Sequence, residues 1–399
     1  ITDPAYNDPT SPTYMPGLAP YDLSRGGSLF TFRGRTDVKE ESAYVQDSMK
    51  LKNLTLMLGL RGDNYNGLSS GSEVQPRIGA SYLINRTNTV LRFSYGRFML
   101  TPYNENLILS SSTGAGGLAG TGGTFVPHPL VPAVRNHYET GLQQTFGKYV
   151  QVDGSYFCKY TNDDFDFDVL FNTPLAFPIQ WQKSKIDGVS VRVSMPVIHG
   201  VSAYSVMGHT RARFFGPEIG GLLFNSTPQL GAFRIDHDQA FQQSTHLQYQ
   251  LGKRLPWIGM TWNYESGEVA GSVASIADAL AFTADQQAQI GLHCGAVYAT
   301  PTTPILACAP GQLASTRLNV PAPGTYNPDK NPARVAPRNT FDLAIGTDNL
   351  FGGDHRKVSV RLTVANLTNE AALYNFLSTF SGTHFMAPRM FTAEVGFHF

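Results

Sequence analysis

Cys294 and Cys308 are two of only three cysteines in the chain, and they close a segment of about 15 residues. In an oxidising compartment such a pair suits a disulfide, which would stabilise the segment by about 3 kcal/mol. Two free thiols are the alternative. His293 stands beside Cys294, but no second cysteine pair or histidine spacing completes a four-ligand metal site. Asp163, Asp164, Asp166 and Asp168 alternate with Phe165 and Phe167. Carboxylates of this kind can bind calcium, yet the glycine and distal glutamate of a calcium loop are missing, so a solvated loop or strand extension is expected. Gly114–Gly123 (GAGGLAGTGG) superficially resembles a phosphate-binding loop. Pro127, Pro129 and Pro132 follow where such a loop needs a helix, which favours a surface loop. No G-x-S-x-G nucleophile motif occurs. Neither a catalytic residue, a metal ligand nor a cofactor is therefore assigned, and the reading is not of an enzyme.

The elements that position these residues are strands. The 399 residues carry 30 Lys+Arg and 30 Asp+Glu, so there is no net charge to attract nucleic acid. Charged residues make up 15% and aromatics 12%, a balance that argues against disorder. No apolar run reaches the length of a transmembrane helix. Apolar residues instead recur at every second position: Leu54, Leu56, Leu58 and Leu60; Leu91, Phe93 and Tyr95; Val189, Val191, Val193 and Met195; Ile258, Met260, Trp262 and Tyr264; Val358, Val360, Leu362 and Val364. With less regular runs at 39–51, 136–146 and 201–214, roughly 13 strands follow.

Short connections near 52–53, 85–88, 147–148, 196–200, 252–256 and 349–356 alternate with long ones near 64–75, 100–135, 162–180, 215–237, 268–337 and 367–388. Short periplasmic turns and long outer loops, with strands of membrane-crossing length, predict a transmembrane antiparallel β-barrel. A soluble β-sandwich or propeller is the alternative. Residues 1–26, with Pro4, Pro9, Pro12, Pro16 and Pro20, read as an extracellular loop, and 27–399 as barrel wall. Alternation assigns Arg92, Arg192, Arg211, Arg213 and Arg361 to the lumen, as a charge-paired interior or a path for an anionic solute. Tyr149, Trp257 and Trp262 suit aromatic girdles. Within loop 268–337, Thr283 with Gln286 forms a capping-box pattern and Gly291 a helix stop. A strand ending on alternate phenylalanines would be an aggregation hazard in water, whereas in a barrel it is the closing strand.

Several segments, in order, resemble TonB-dependent receptors: Tyr44-Val45-Gln46-Asp47 with Leu54–Arg61 (LTLMLGLR), Pro76–Ala80 (PRIGA), Ala365–Asn369 (ANLTN), and Pro388-Arg389 leading to Phe399. Within that family the chain is most similar to the Oar-like receptors with a carboxypeptidase-regulatory-like domain. The resemblance implies an outer-membrane, 22-stranded barrel closed by an N-terminal plug. It also implies uptake of a scarce large solute driven by the TonB complex through that plug, and a terminal Phe399 read by the barrel-assembly machinery. Thirteen strands occupy about 370 residues, and 22 would need roughly 600, so the plug and about nine strands are expected to be absent. Expected partners are outer-membrane lipid, the assembly machinery, TonB and an unidentified solute. A passive porin-like or export barrel of about 14 strands, counting 28–35, and an adhesive surface protein are the alternatives.

Overall fold

The structure, a computed structural model, describes residues 10, 20, 22–29, 35, 37–103, 127–169, 176–222, 230–252, 255–271, 273–352, 357–378 and 382–398. It is 64% strand and 5% helix, and no helix is long and apolar enough to cross a membrane. Thirteen strands form one antiparallel sheet in sequence order. They are β1 (Lys39–Leu51), β2 (Leu54–Asn66), β3 (Ser70–Ile84), β4 (Thr89–Leu100), β5 (Ala133–Phe146), β6 (Val150–Val169), β7 (Ala176–Ile198), β8 (Val201–Leu222), β9 (Phe241–Gln250), β10 (Trp257–Glu265), β11 (Arg338–Thr347), β12 (Lys357–Ala365) and β13 (Met390–His398).

Antiparallel pairing in strict order is what short turns dictate, since neighbouring strands joined by a few residues can meet only as hairpins. Lys52, Asn88 and His199 take positive φ in these turns, as does Gly200 (φ 84°). The apolar alternation expected from sequence lies on one continuous face. Leu91 is paired with Leu142 and Phe93 with Thr140, and Leu91, Leu142, Leu247, Leu362 and Phe397 are all between 45% and 66% exposed. Such a face is stable only against lipid. The opposite face carries Gln46, Arg77, Arg92, Glu139, Asp153 and Arg192. Among the described residues β1 pairs only with β2 and β13 only with β12, so the sheet they form is not closed. Residues 30–34 lie outside the described residues, as do the Gly114–Gly123 run and Phe399.

Three connections differ from expectation. The 64–75 segment is strand except for 67–69, because β2 and β3 pair up to Asn66–Ser70. The expected loops at 162–180 and 215–237 are built largely of β6, β7 and β8, which run 20, 23 and 22 residues and rise past the membrane-crossing length. Their Asp, Asn, Gly and Pro content reads as loop, but tertiary pairing holds it extended. By contrast, the 266–337 connection is a folded unit with its own apolar core. Val273, Ala279, Ile290, Leu292, Leu318 and Val335 pack with Leu373 and Phe376 from the 366–389 connection.

Candidate functional site

At the outer ends of β8 to β11 the 266–337 connection folds against the 366–389 connection and against Asp238 and Gln239. A 3-10 turn, Ile276–Ala281, leads into a short helix α1 (Ala284–Gln289), where the expected capping box forms: Gln286 N donates to Thr283 Oγ1, and Thr283 N donates to Gln286 Oε1. Gly291, at φ 64°, ends α1. Cys294 and Cys308 place their sulfurs 1.99 Å apart and their Cα atoms 5.7 Å apart. Gln287 is fully buried. Its amide donates to the carbonyls of Leu280, Phe282 and Ile305 and accepts from Ile305 N at 2.7 Å. One side chain thereby ties the 280–282 turn and the backbone at Ile305 to α1. Arg338, also buried, pairs with Glu265 across the β10–β11 ladder and donates to Leu373 O and Tyr374 O, which ties the wall to the 366–389 connection.

The lumen face holds a cavity of about 430 Å³ where Gln242, Ser244, Asn263, Glu265 and Thr340 stand beside Val206 and Met207, with Met386 from the last connection. At the rim stand groups that sequence reading did not single out: Asp236, His237, Glu268, Trp181, Tyr374 and Ser378. His237 Nδ1 lies 2.5 Å from Asp236 Oδ1, and Ser378 Oγ donates to Asp236 Oδ2 at 2.7 Å. The hydrogen bond that His237 donates to Asp236 holds the His237 pKa above its ordinary value, aided by the surrounding carboxylates. Burial raises Glu268, and the nearby Glu268 charge raises Tyr374. Asp166 accepts from Trp181 Nε1 at 3.0 Å and from Phe167 N at 2.9 Å, and burial pushes its pKa up to about 6. These residues come from four connections, so only the tertiary fold brings them together. No cluster that could hold a metal ion is found among the described residues.

The acidic run divides. Asp164 is buried against Arg135 and Ser184. Asp163 takes φ 58°, a left-handed residue that re-aims the strand, so that Asp164 and Asp166 both turn inward. The side chain of Asp168 lies outside the described residues.

The arginines also divide, which corrects their joint placement in the lumen. Arg92 lines the lumen with Asp153 at 2.7 Å. Arg192 lies over the Tyr204 ring, and Arg361 over Trp257. Arg211 and Arg213 belong to the other face. Val189, outward by its 44% exposure, pairs with His209, and Asp187 pairs with Arg211. The β8 alternation is ambiguous because Val206 is apolar on the lumen side while Ser205 is polar on the outer side. Only its register with β7 fixes the face. Trp257 is corrected likewise. It pairs with Gly346, one position off the outward Ile258–Ile345 pair, so it faces the lumen at the periplasmic end. Trp262, in register with Thr245 and Phe341, remains outward-facing, and Tyr149 lies in the turn before β6.

An antiparallel wall with a lipid face, a polar lumen face and a folded outer connection defines an outer-membrane β-barrel protein. The family described as "TonB dependent receptor-like, beta-barrel" matches residues 2–367. The chain belongs to the TonB-dependent receptor family, whose members are outer-membrane receptors and transporters of Gram-negative bacteria, and it resides in that membrane. No curated protein sequence matches it significantly. Among solved structures it is similar to the FrpB iron transporter from Neisseria meningitidis, at 14% identity and a TM-score of 0.56 over 92% of this chain and 46% of that one. It is also similar to the copper transporter OprC, at 12% identity and a TM-score of 0.57 over 91% and 48%. The ferric citrate transporter FecA gives 12% identity and a TM-score of 0.56 over 91% and 45%. These identities make the likeness one of fold. The chain spans about half the length of the structures it matches.

Proposed function

We propose that this chain supplies the C-terminal wall and the outer cover of a receptor that takes up a scarce solute across the outer membrane with energy delivered through TonB, with the plug provided outside the present sequence. The observation that supports this reading is the family match over residues 2–367, together with a cavity on the lumen face and a cross-linked outer unit with its own core. Its chemistry differs from an anionic path. Carboxylates of Asp166, Asp236, Glu265 and Glu268 and the rings of Trp181 and Tyr374 ring the mouth, while two of the five expected lumen arginines face outward. A solute presenting hydrogen-bond donors suits that lining. The FrpB, OprC and FecA names concern iron, copper and ferric citrate; they set the class of scarce solute without selecting one.

The test is uptake by cells carrying the native gene, with and without TonB, and with Glu268→Gln or Asp166→Asn. Uptake that depends on TonB and falls at least several-fold in the lumen variants is the expected result. Uptake that persists without TonB would overturn the energy-coupled reading in favour of a passive pore.

A further inference from the structure

Two groups of outer elements meet at the rim. One consists of the tips of β6, β7 and β8 with the 230–240 segment, which extends the sheet by pairing Ala232 with Phe215 and Phe233 with Phe214. The Phe233 ring lies 4.8 Å from that of Trp181 and 6.3 Å from that of Phe214, centre to centre. The other is the 266–337 unit, fused to the 366–389 connection through the core that holds Val273, Ile290, Leu373 and Phe376. Apolar burial holds each group together, and polar side chains join one to the other.

The joint has two parts of different chemistry. In the first, arginines meet aspartates. Arg334 donates to Asp238 Oδ2 at 2.5 Å and to Asp238 O at 2.7 Å, and Arg234 pairs with Asp329 Oδ1 at 3.1 Å. A guanidinium keeps its charge at every pH a cell meets. In the second, Asp236 accepts from Ser378 Oγ at 2.7 Å and from His237 Nδ1 at 2.5 Å. Asp166 from β6 and Glu268 from the 266–337 unit also act on His237. Tyr374 faces Glu268, and Arg338, the permanent cation acting on Glu268, is already paired with Glu265. Three carboxylates, Asp166, Asp236 and Glu268, therefore converge on one imidazole. With Asp166 and Glu268 neutral and His237 protonated, Asp236 and His237 balance. Without those protons, three negative charges stand around a neutral ring, partly shielded from water, where repulsion is stronger than in bulk solvent.

We propose that this second part is a proton-sensitive latch. It holds the 230–240 segment and the β6 tip against the 266–337 and 366–389 connections in mildly acidic surroundings and releases them as pH rises, while the arginine pairs stay in place as the hinge. The directions of titration agree with the charge count. The hydrogen bond to Asp236 raises the His237 pKa, and burial raises Glu268 and pushes Asp166 up to about 6. Each group holds its proton more firmly in the closed joint than in water, so closing takes up protons and is favoured as pH falls. The carboxylate contribution is complete below about pH 4 and that of the histidine below about pH 6.5, and both fade as pH rises through the raised values. The latch does not depend on which solute is carried, and its test reads no uptake.

The experiment takes the product of the native gene in lipid vesicles and follows amide hydrogen exchange between pH 5 and pH 8, corrected for the intrinsic pH dependence of exchange. Protection of 232–240 and 373–378 is expected to fall roughly tenfold or more from pH 5 to pH 8, with α1 and the β2–β5 wall unchanged. In the double variant Asp166→Asn with Glu268→Gln, whose side chains are neutral throughout, the fall should shrink to roughly threefold or less. Protection that does not change with pH would overturn the proposal, as would an undiminished fall in the double variant. A fall shared equally by α1 and the wall would also overturn it, because that reports general loosening. Should the double variant fail to fold, as judged by heat-modified gel mobility, Ser378→Ala decides the matter. It removes the hydrogen bond across the joint and should bring protection at pH 5 down toward the wild-type level at pH 8. Protection left at the wild-type pH 5 level overturns the proposal.

Discussion

Replacing Asp166 with Asn tests the chemistry of the mouth directly. Asp166 lies sixteen rises above Val150, about 40 Å along the normal at a tilt of about 40°, and so beyond the membrane band. Burial raises its pKa from 3.8 to about 6. Its folded state therefore prefers the neutral acid. The stabilising contribution of that preference is complete below pH 4 and disappears as pH rises through 6. The gap of about two pH units corresponds to roughly 3 kcal/mol at about 1.4 kcal/mol per unit. Water reaching the partly exposed carboxyl lowers the amount to be measured, and about 1–3 kcal/mol is expected. Asn imitates the protonated acid and retains an oxygen for Trp181 Nε1 or Phe167 N. Wild type and Asp166→Asn should thus be equally stable near pH 4, with the variant gaining over wild type up to pH 8. Urea unfolding in lipid vesicles gives the difference, and hydrogen exchange of the β6–β7 tip localises it. A stability difference that does not change with pH would refute the reasoning, because it would show that the carboxyl is not held neutral by its surroundings.

Further outcomes follow from the cover and the wall. Reducing the cysteine pair, or replacing it by Cys294→Ser with Cys308→Ser, should loosen the unit by about 3 kcal/mol by chain entropy; proteolysis between 295 and 312 reports it. Gln287→Leu strands the amide of Ile305 and three carbonyls in an apolar core. A local loss of about 3 kcal/mol or more is expected, seen as faster exchange across α1 while the β2–β5 wall is unchanged. Brominated lipid should quench the fluorescence of Trp262 and leave Trp257 and Trp181 unaffected; quenching of Trp257 in a single-tryptophan variant would contradict its lumen-facing register.

Much of this protein is legible in its sequence because a membrane wall obeys a local rule. A strand between lipid and polar lumen must alternate, so Leu54–Leu60, Val189–Met195 and Phe391–Phe397 declare both their conformation and their face. The short periplasmic turns then fix the order of the thirteen strands. The capping box at Thr283 is equally local, closed within four residues. Alternation loses its meaning where neither face is clearly apolar. In β8, Val206 and Ser205 point against type, and only hydrogen-bonded register with β7 sends Arg211 and Arg213 outward. At 162–180 a polar composition that suits a loop is held in strands by partners on both sides, and Asp163 reverses the facing there. The rim of Asp166, Asp236, His237, Glu268, Tyr374 and Ser378 draws on residues more than two hundred positions apart. Sequence by itself thus determined that this chain is a lipid-facing antiparallel wall. The tertiary structure decided which charges line the lumen and which meet the membrane surface, because facing is a property of paired strands and a mouth is built from loops that meet only in space.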